Sequence, residues 1–335
     1  MAAADAIRED SDLLIYIYTL VAIIKYHADL SLLQAPDRQR LDTDLTPLFG
    51  LLYFLEDVIE EMERKEVPFQ VISDSLNGFE NDMTAYFELN GRSGMRTYVR
   101  WLVPIIRGEI LWVGRLRFQM TTLPYKIRVY QKDEDIKVLM DGVYMHEKGM
   151  LFGSAGQTDE EGRYWADITM KDGKVIGYGV NEFGECVKER RTLCDKEKLR
   201  YKEPIISVHI PAGGDFSAQA CEESYQRAKE ILQSCYPEYE YKAMCCFSWM
   251  LEKRLKKIMG RDTNVTLFAD KYITFPLCSS GEGIYSFLYH LKDTVPPQQL
   301  PEDTSMQRAV KEWLCKGNYF YEKGGLFLGN ETDIS

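Results

Sequence analysis

The chain has 335 residues, of which 45% are hydrophobic and 28% are charged. A chain of this length is expected to form two domains rather than one small core. Lysine and arginine number 41 against 52 aspartates and glutamates, giving a net charge of −11. No basic surface of the kind that holds phosphate stands out, so nucleic acid is not expected as a partner.

The N-terminal third has the periodicity of helices. Ser11 or Asp12 can cap a helix whose apolar stripe ends at Ile24, and Thr46 and Pro47 precede a second stripe that ends at Met62. Shorter helices are predicted at residues 69–76, 80–89 and 96–106, with Gly91–Gly94 as a turn and the last helix disturbed by Pro104.

Nothing in this first third indicates a membrane or an exported protein. The apolar run at residues 13–24 is too short to span a bilayer, and no cleavage site follows it. The 8 cysteines form neither a C-x-x-C nor a histidine-spaced pattern, so no metal is expected. A reducing cytoplasm is the predicted location.

From residue 108 the pattern changes to short strands. Runs of β-forming residues predict strands at residues 110–120, 125–130, 138–145, 164–170, 175–180 and 186–193. Asp172-Gly173 favours the primed turn of a tight hairpin between Lys171 and Lys174. On the first strand, Arg115 and Arg117 stand at alternate positions, which predicts that they face the same side.

A strand, a glycine turn, a helix and a second strand follow each other from residue 204 to residue 251. Ile205–Ile210 alternates apolar and polar residues, and Pro211 ends the run. After a turn, Ser217 precedes a helix that Pro237 terminates, and Tyr241–Trp249 reads as a strand buried on both faces.

The C-terminal part alternates helices and strands. The sequence predicts a basic helix at residues 251–259, strands at 266–275 and 284–289, and a terminal hairpin at 319–328. Asp303 or Thr304 can cap a final helix that runs through Cys315. The predicted fold class is α+β, with an all-helical N-terminal domain at residues 1–106 and a mixed domain at residues 107–335.

The glycine turn is a candidate anion site. Exposed amides from Gly213 to Ser217 and the positive end of the helix dipole point toward the loop, so a phosphate can bind there without a basic side chain. The alternative is that the turn merely connects a strand to a helix.

Several segments, in order, carry a resemblance to a known family: Gly114–Phe118, Val208–Gly214, Phe247–Leu251 and Leu300–Ala309. They resemble a bacterial family of acyltransferases that pairs a helical N-acyltransferase N-terminal domain with a GNAT-like C-terminal domain. GNAT enzymes are N-acyltransferases that use acyl-coenzyme A (acyl-CoA). The resemblance implies a mixed sheet with flanking helices in residues 107–335 and acyl-CoA as the cosubstrate.

In a GNAT fold the fourth strand leads into the loop that binds the pyrophosphate of CoA. The resemblance implies that residues 205–210 form this strand. The resemblance therefore implies cofactor-binding residues in and beside this loop, namely Ile210, Ala212, Gly213, Gly214, Phe216 and Ser217. The loop lacks the usual pattern of Gln or Arg, two residues, Gly, one residue, then Gly or Ala. It has Asp215 instead, whose carboxylate repels a pyrophosphate.

Acyl transfer needs a base, an acid and an oxyanion donor. His209 is the candidate base, and Ser248 and Tyr285, or Tyr289, are candidate acids. A backbone amide within Val208–Ile210 is the candidate oxyanion donor. Each side chain can instead have a purely structural role: His209 as an imidazole bonded to the backbone, and the others as residues of the core or of the sheet surface. Ser248 lies outside any G-x-S-x-G elbow, so a hydrolase nucleophile has no support.

The leading hypothesis is an acyl-CoA-dependent N-acyltransferase that acts on an amine of a small molecule or peptide. The competing hypothesis is a catalytically inactive GNAT-like binding or scaffold protein, which the acid at position 215 favours. An enzyme that uses another ligand in the same cleft is a third possibility.

Overall fold

The computed structural model describes residues 11–25, 46–91, 99–211, 213–291 and 293–329. The chain divides into two compact units. The first contains Met1–Gln119 and Ser224–Glu238, and the second contains Met120–Glu223 and Tyr239–Ser335. The predicted domain boundary between residues 106 and 107 stays a prediction.

Helices make up most of the first unit's described residues: α1 Ser11–Lys25, α2 Thr46–Arg64, α3 Phe69–Asn90 and α4 Val99–Ile106. The predicted helices at 11–24 and 46–62 are confirmed. In α2 the buried side chains Phe54, Val58 and Met62 recur every four residues, which is the spacing of one helix face. Pro104 lies inside α4, while the predicted start of that helix, residues 96–98, lies outside the described residues. Among the described helices none combines the length and apolarity that crossing a bilayer requires.

The prediction of two short helices at 69–76 and 80–89 is wrong, because α3 is continuous. Gly78 does not break it. A Cβ on Gly78 would lie 2.8 Å from an Arg117 nitrogen and 3.3 Å from the Trp112 ring, so glycine allows these side chains to approach the helix closely. Gly91, with φ 67°, ends α3 and returns its N–H to the Phe87 carbonyl at 2.8 Å.

The predicted strand at 110–120 is a hairpin, β1 Ile110–Val113 and β2 Leu116–Thr122. Gly114 turns the chain with φ 62°. The next residue, Arg115, lies in this turn and donates its N–H to the Ser224 hydroxyl at 2.7 Å. The prediction that Arg115 and Arg117 share one side of a strand is therefore wrong. Arg117 stacks on Trp112, with 4.3 Å between the guanidinium carbon and the ring centroid.

An antiparallel sheet in the second unit has the order β10-β3-β4-β8-β7, with β9 also paired to β8. Its strands are β3 Ile127–Lys132, β4 Asp135–Met140, β7 Thr169–Lys171, β8 Lys174–Val180, β9 Cys186–Leu193 and β10 Lys196–Arg200. The Asp172-Gly173 hairpin is confirmed, with φ of 52° and 73° at the turn. No strand was predicted from the sequence at the position of β10.

A separate hairpin, β5 Val143–His146 and β6 Arg163–Ala166, accounts for two errors in the predicted strands. The runs at 138–145 and 164–170 were expected to be continuous. Each is divided because its two halves pair in different sheets, β4 and β7 in the large one and β5 and β6 with each other. Gly142, with φ 71°, makes the first break.

The second unit also contains four strands, two of which end at predicted catalytic residues. These are β11 Pro204–His209, β12 Ala243–Ser248, β13 Ile273–Pro276 and β14 Lys323–Leu328, in the order β11-β12-β14-β13. β11 and β12 are parallel, and the other two pairings are antiparallel. Cys245, Phe275 and Leu326 are fully buried in one core with residues of β3 and β4. Between β11 and β12 runs helix α5, Ala218–Cys235, as predicted.

Several predicted elements between residues 249 and 328 have another structure. The expected helix at 251–259 is a 3-10 turn, Trp249–Leu251, followed by α6, Leu255–Met259. Residues 266–275 give helix α7 Asn264–Asp270 before β13, because Thr263 and Thr266 form a capping box. Residues 284–289 form helix α8, Gly283–Phe287, and the terminal hairpin is the single strand β14.

Helix α9, Ser305–Cys315, begins at the predicted cap. Gln307 N–H donates to the Thr304 hydroxyl at 3.1 Å, and Thr304 N–H donates to Gln307 Oε1 at 3.0 Å. We expect T304A to lower the free energy of unfolding by about 1 kcal/mol, because the Gln307 N–H loses the hydroxyl that accepts its hydrogen bond. Urea unfolding measures this loss. T304S retains the acceptor and should stay within about 0.5 kcal/mol of the native chain, and an equal loss in both variants would contradict the role of the cap.

Candidate functional site

Two parallel strands end at the same edge of the second unit's sheet. The register of β11 and β12 runs from Ile206–Met244 to Val208–Cys246. His209 is the last residue of β11, and Ser248 is the last residue of β12. Both are partly buried. The structure therefore places two of the three predicted catalytic residues at the carboxyl ends of neighbouring parallel strands, where open sheets bind ligands.

The loop after β11 turns beside this edge through two glycines. Gly213 and Gly214 both have left-handed backbones, with φ of 71° and 72°, and both are exposed. Ile210 is partly buried, and Phe216 packs on Phe268 with 5.1 Å between ring centroids. The loop is thus anchored in the core on its helix side while its glycines face solvent. The predicted cofactor residue Ala212 lies outside the described residues.

The side chain of Asp215, a residue of the loop, accepts hydrogen bonds at the start of α5. Its Oδ1 accepts the Ser217 N–H at 2.9 Å, and its Oδ2 accepts the Ser217 hydroxyl at 3.0 Å. The Ser217 oxygen in turn accepts the Ala220 N–H at 3.2 Å, which confirms Ser217 as the N-cap. A carboxylate at a helix N-terminus is favoured by the dipole, and it takes an amide that a phosphate would otherwise use.

Ser248 has a structural task at the end of β12. Its hydroxyl oxygen accepts the Met250 N–H at 3.1 Å and caps the 3-10 turn. A hydroxyl that accepts one hydrogen bond still has its own proton to donate. The capping role therefore leaves the predicted role of acid chemically open.

Tyr285 lies on helix α8 rather than on the predicted strand. It packs on the cluster that contains Trp249 and Tyr289 and that also borders Phe216. Burial raises the pKa of Tyr285, so its phenol keeps the proton that an acid would donate. The Tyr289 hydroxyl already donates to the Gln307 carbonyl at 2.7 Å, which removes this alternative acid.

A group of buried charges in the second unit was not among the sites predicted from the sequence. Glu252 and Lys323 are 1% and 0% exposed, and Arg254 forms ion pairs with both Glu185 and Glu252. A charged residue in a sequence normally indicates a surface position, so little in the sequence marked these residues. One signal was available: Lys323 directly precedes a run of apolar and glycine residues at 324–329.

Buried His146 is not free to act as a base. Its Nδ1 accepts the Lys148 N–H at 3.2 Å, so its Nε2 carries the hydrogen and donates it to Asp159 at 2.9 Å. Within the described ranges no three His, Cys, Asp or Glu side chains gather in a way that would hold a metal ion.

Residues 110–327 match the family model of the GNAT-like C-terminal domain, which is more than half of the chain. The chain belongs to this family. The resemblance seen in the sequence is confirmed for this domain, while a helical N-acyltransferase N-terminal domain and a bacterial origin stay predictions. A comparison with curated proteins gives no significant match.

Solved structures with a similar fold are acyltransferases. One, in complex with decanoyl-CoA, is 14% identical with a TM-score of 0.60, over 93% of this chain and 75% of that chain. Another, in complex with CoA and 10C-teicoplanin, is 16% identical with a TM-score of 0.62, over 98% of this chain and 83% of that chain. At these identities the likeness establishes the fold.

Proposed function

We propose that this protein transfers an acyl group from acyl-CoA to an amine, at the carboxyl edge of β11 and β12. The observation that carries the proposal is the parallel strand pair with a glycine turn and a helix N-terminus at one end, in a chain of the GNAT-like family. Similar acyltransferases have been solved with decanoyl-CoA and with CoA, which supports acyl-CoA as the cosubstrate.

The proposed acceptor is an amine on a small molecule or peptide. Acyltransferases of similar fold have been solved with teicoplanin and with 10C-teicoplanin, so the fold accommodates an acceptor of that size. A cytoplasmic location belongs to the same proposal.

The chemistry assigns a role to each residue at the edge. The amine nitrogen attacks the thioester carbonyl carbon while His209 takes a proton from that nitrogen. A backbone N–H within residues 208–210 stabilises the oxyanion. When the carbon–sulfur bond breaks, the leaving thiolate receives a proton from Ser248 or Tyr285. The products are the amide and CoA, and the proton held by His209 then returns to the deprotonated acid, which restores both residues.

The proposed pyrophosphate site is the loop of Ile210, Ala212, Gly213, Gly214, Phe216 and Ser217. Left-handed glycines let backbone amides turn toward an anion, and the start of α5 adds its dipole. Asp215 opposes binding, because its carboxylate already accepts the Ser217 N–H. CoA must displace this carboxylate, so we expect Asp215 to weaken the binding of CoA.

We expect D215N to tighten CoA binding about 10-fold, because it removes a negative charge near the pyrophosphate but keeps an oxygen that accepts the Ser217 N–H. Calorimetric titration with CoA at low salt measures the change. The matched control is D133N, an exposed aspartate in the β3–β4 turn whose left-handed backbone suits asparagine. Equal affinity for D215N and the native chain would remove the loop from the CoA site.

The function itself is tested by titrating the native chain with CoA and with acyl-CoA of several chain lengths, followed by assays of CoA release with primary amines. Binding with turnover supports the transferase. Asp215 favours a second candidate, a GNAT-like binding or scaffold protein without catalysis. Binding without turnover would support that candidate, and no binding at millimolar concentration would contradict the proposed use of acyl-CoA.

A further inference from the structure

A carboxylate without a cation lies at the start of β14. Glu322 directly precedes this strand and is partly buried. Its backbone N–H donates to the Ser279 hydroxyl at 2.9 Å, while its carboxylate forms no hydrogen bond or ion pair with the residues that the structure describes. Partial burial removes part of the water around this charge, and no protein cation replaces it. Such a carboxylate favours a cation supplied by a ligand.

The start of helix α8 leaves space for this carboxylate. A Cβ on Gly283 would lie 2.5 Å from Glu322 Oε1 and 3.3 Å from its Cδ. Gly283 is the first residue of α8 and is not among the glycines with positive φ. What glycine provides at this position is therefore room for the carboxylate rather than a left-handed backbone.

Three aromatic rings pack together next to the start of β14. Phe247 and Phe275 are the partners of Gly324 in the strands on either side of it. Tyr125 packs on both rings, with 4.8 Å and 6.2 Å between centroids. Glu322 precedes Gly324 by two residues, and alternate residues of an extended chain face the same side. Burial, and then the charge of Glu322, raises the pKa of Tyr125, so this ring stays neutral.

The same face of β12 carries the proposed base. Val208 and Cys246 are partners in the parallel pair of β11 and β12, so the residues that follow them, His209 and Phe247, face one side. His209, Phe247 and Tyr125 are all partly buried, which leaves part of each side chain open to solvent. The base and the aromatic rings therefore share one face at the carboxyl edge of the sheet.

A carboxylate beside aromatic rings suits an alkylammonium ion. The carboxylate accepts charge-assisted hydrogen bonds from the –NH₃⁺ group, and the faces of neutral aromatic rings attract the same cation. An alkylamine resembles the lysine side chain, which is protonated at neutral pH. The acceptor of an N-acyltransferase that uses alkylamines therefore arrives as a cation, whereas an arylamine arrives neutral.

We propose that Glu322, with the rings of Tyr125 and Phe247, binds the ammonium group of the acceptor, which makes alkylamines the substrate class. This inference rests on the proposed function for its link to catalysis. The bound ammonium gives one proton to solvent water, and the resulting neutral amine attacks the thioester as described above. Because Glu322 acts in binding, its loss raises KM for the amine more than it lowers kcat.

The binding test compares n-hexylamine, a cation at neutral pH, with 1-hexanol, a neutral probe of the same chain length. Ligand-observed NMR titrations of the native chain and of E322Q give the Kd of each probe. We expect the Kd of hexylamine to rise about 10-fold in E322Q, with the Kd of hexanol within about 2-fold of native. E134Q is the matched control, because it removes an exposed carboxylate in the β3–β4 turn, and both values should stay native.

G283A tests the position of the carboxylate without removing its charge. The added methyl group takes the place of Glu322 Oε1, so the carboxylate has to move. We expect the Kd of hexylamine to rise about 3-fold, with the Kd of hexanol unchanged. Alanine is a better helix former than glycine, so G283A also decides the question if E322Q does not fold.

The aromatic part of the site is tested at Tyr125. Y125F keeps the ring and removes only the hydroxyl, so the Kd of hexylamine should stay within about 2-fold of native. Y125L removes the ring, and the Kd should rise about 3-fold. Equal values in Y125F and Y125L would exclude the ring from the ammonium site.

Assays of CoA release extend the test to turnover. With decanoyl-CoA, E322Q should raise KM for hexylamine about 10-fold and leave kcat and KM for decanoyl-CoA within about 2-fold of native. An arylamine has no positive charge to lose, so its KM should be the same in E322Q and in the native chain.

Failure of this inference is distinguishable from failure of the proposed function. No binding of hexylamine to the native chain at millimolar concentration, or an unchanged Kd in E322Q, would overturn the ammonium site whatever the turnover. Turnover of hexylamine with a native KM in E322Q would overturn it as well. The expected losses of binding with no CoA release from any acyl-CoA would support the ammonium site and contradict the proposed function.

Discussion

Replacing His209 by glutamine is expected to lower kcat for acyl transfer about 100-fold, the usual contribution of a general base. His209 is the last residue of β11, is only partly buried, and lies next to the carboxyl end of β12. Glutamine has similar polarity and size but cannot accept the amine proton. Binding of CoA should change little, since the proposed pyrophosphate loop begins after this residue.

The pH profile distinguishes a base from a structural imidazole. A base acts in its neutral form, so kcat of the native chain should fall toward acid pH, and this limb should be absent in H209Q. The measurement is the initial rate of CoA release across pH at saturating amine.

The matched control for H209Q is H290N. His290 is exposed and has φ 55°, a backbone that asparagine tolerates. Its rate and pH profile should equal those of the native chain. A profile in H209Q that keeps the acid limb would assign His209 to structure and leave the base unidentified.

The sequence predicted the elements whose signals are local. The apolar stripes of α1 and α2 and the strand, turn, helix and strand from residue 204 to Ser248 needed no knowledge of distant partners. The proposed edge was predictable for the same reason, because a strand and helix connection of this kind makes consecutive strands parallel. His209 and Ser248 then have to lie at the same edge.

The errors arose where the partner lies far away in the sequence. Residues 319–328 resemble a hairpin, yet β14 is one strand because β12 and β13 pair with its two edges. Residues 284–289 resemble a strand, yet Ile284 and Leu288, one helical turn apart, pack on one cluster. Glu252 and Lys323 were not predicted to be buried, because only the tertiary structure buries them.

The second large effect concerns β14 itself. G324A is expected to lower the free energy of unfolding of the second unit by about 3 kcal/mol, at the upper end of the cost of overpacking a core. A Cβ on Gly324 would lie 2.3 Å from two atoms of the Phe275 ring, and Phe275 is fully buried. The ring has no room to withdraw, because it packs among Cys245, Leu326 and other fully buried residues.

Urea unfolding of G324A, F275A and the double variant measures this effect as a coupling energy. F275A alone should be costly, but adding G324A to it should cost less than about 1 kcal/mol, because the clash is gone. G177A is the matched strand control: its Cβ would lie 3.0 Å from Leu139 Cδ1, 3.1 Å from Ile168 Cγ1 and 3.5 Å from the Asp167 carbonyl oxygen, so it requires a smaller adjustment than the 2.3 Å approach to Phe275. Additive losses in the double variant would mean that Gly324 is required for a reason other than Phe275.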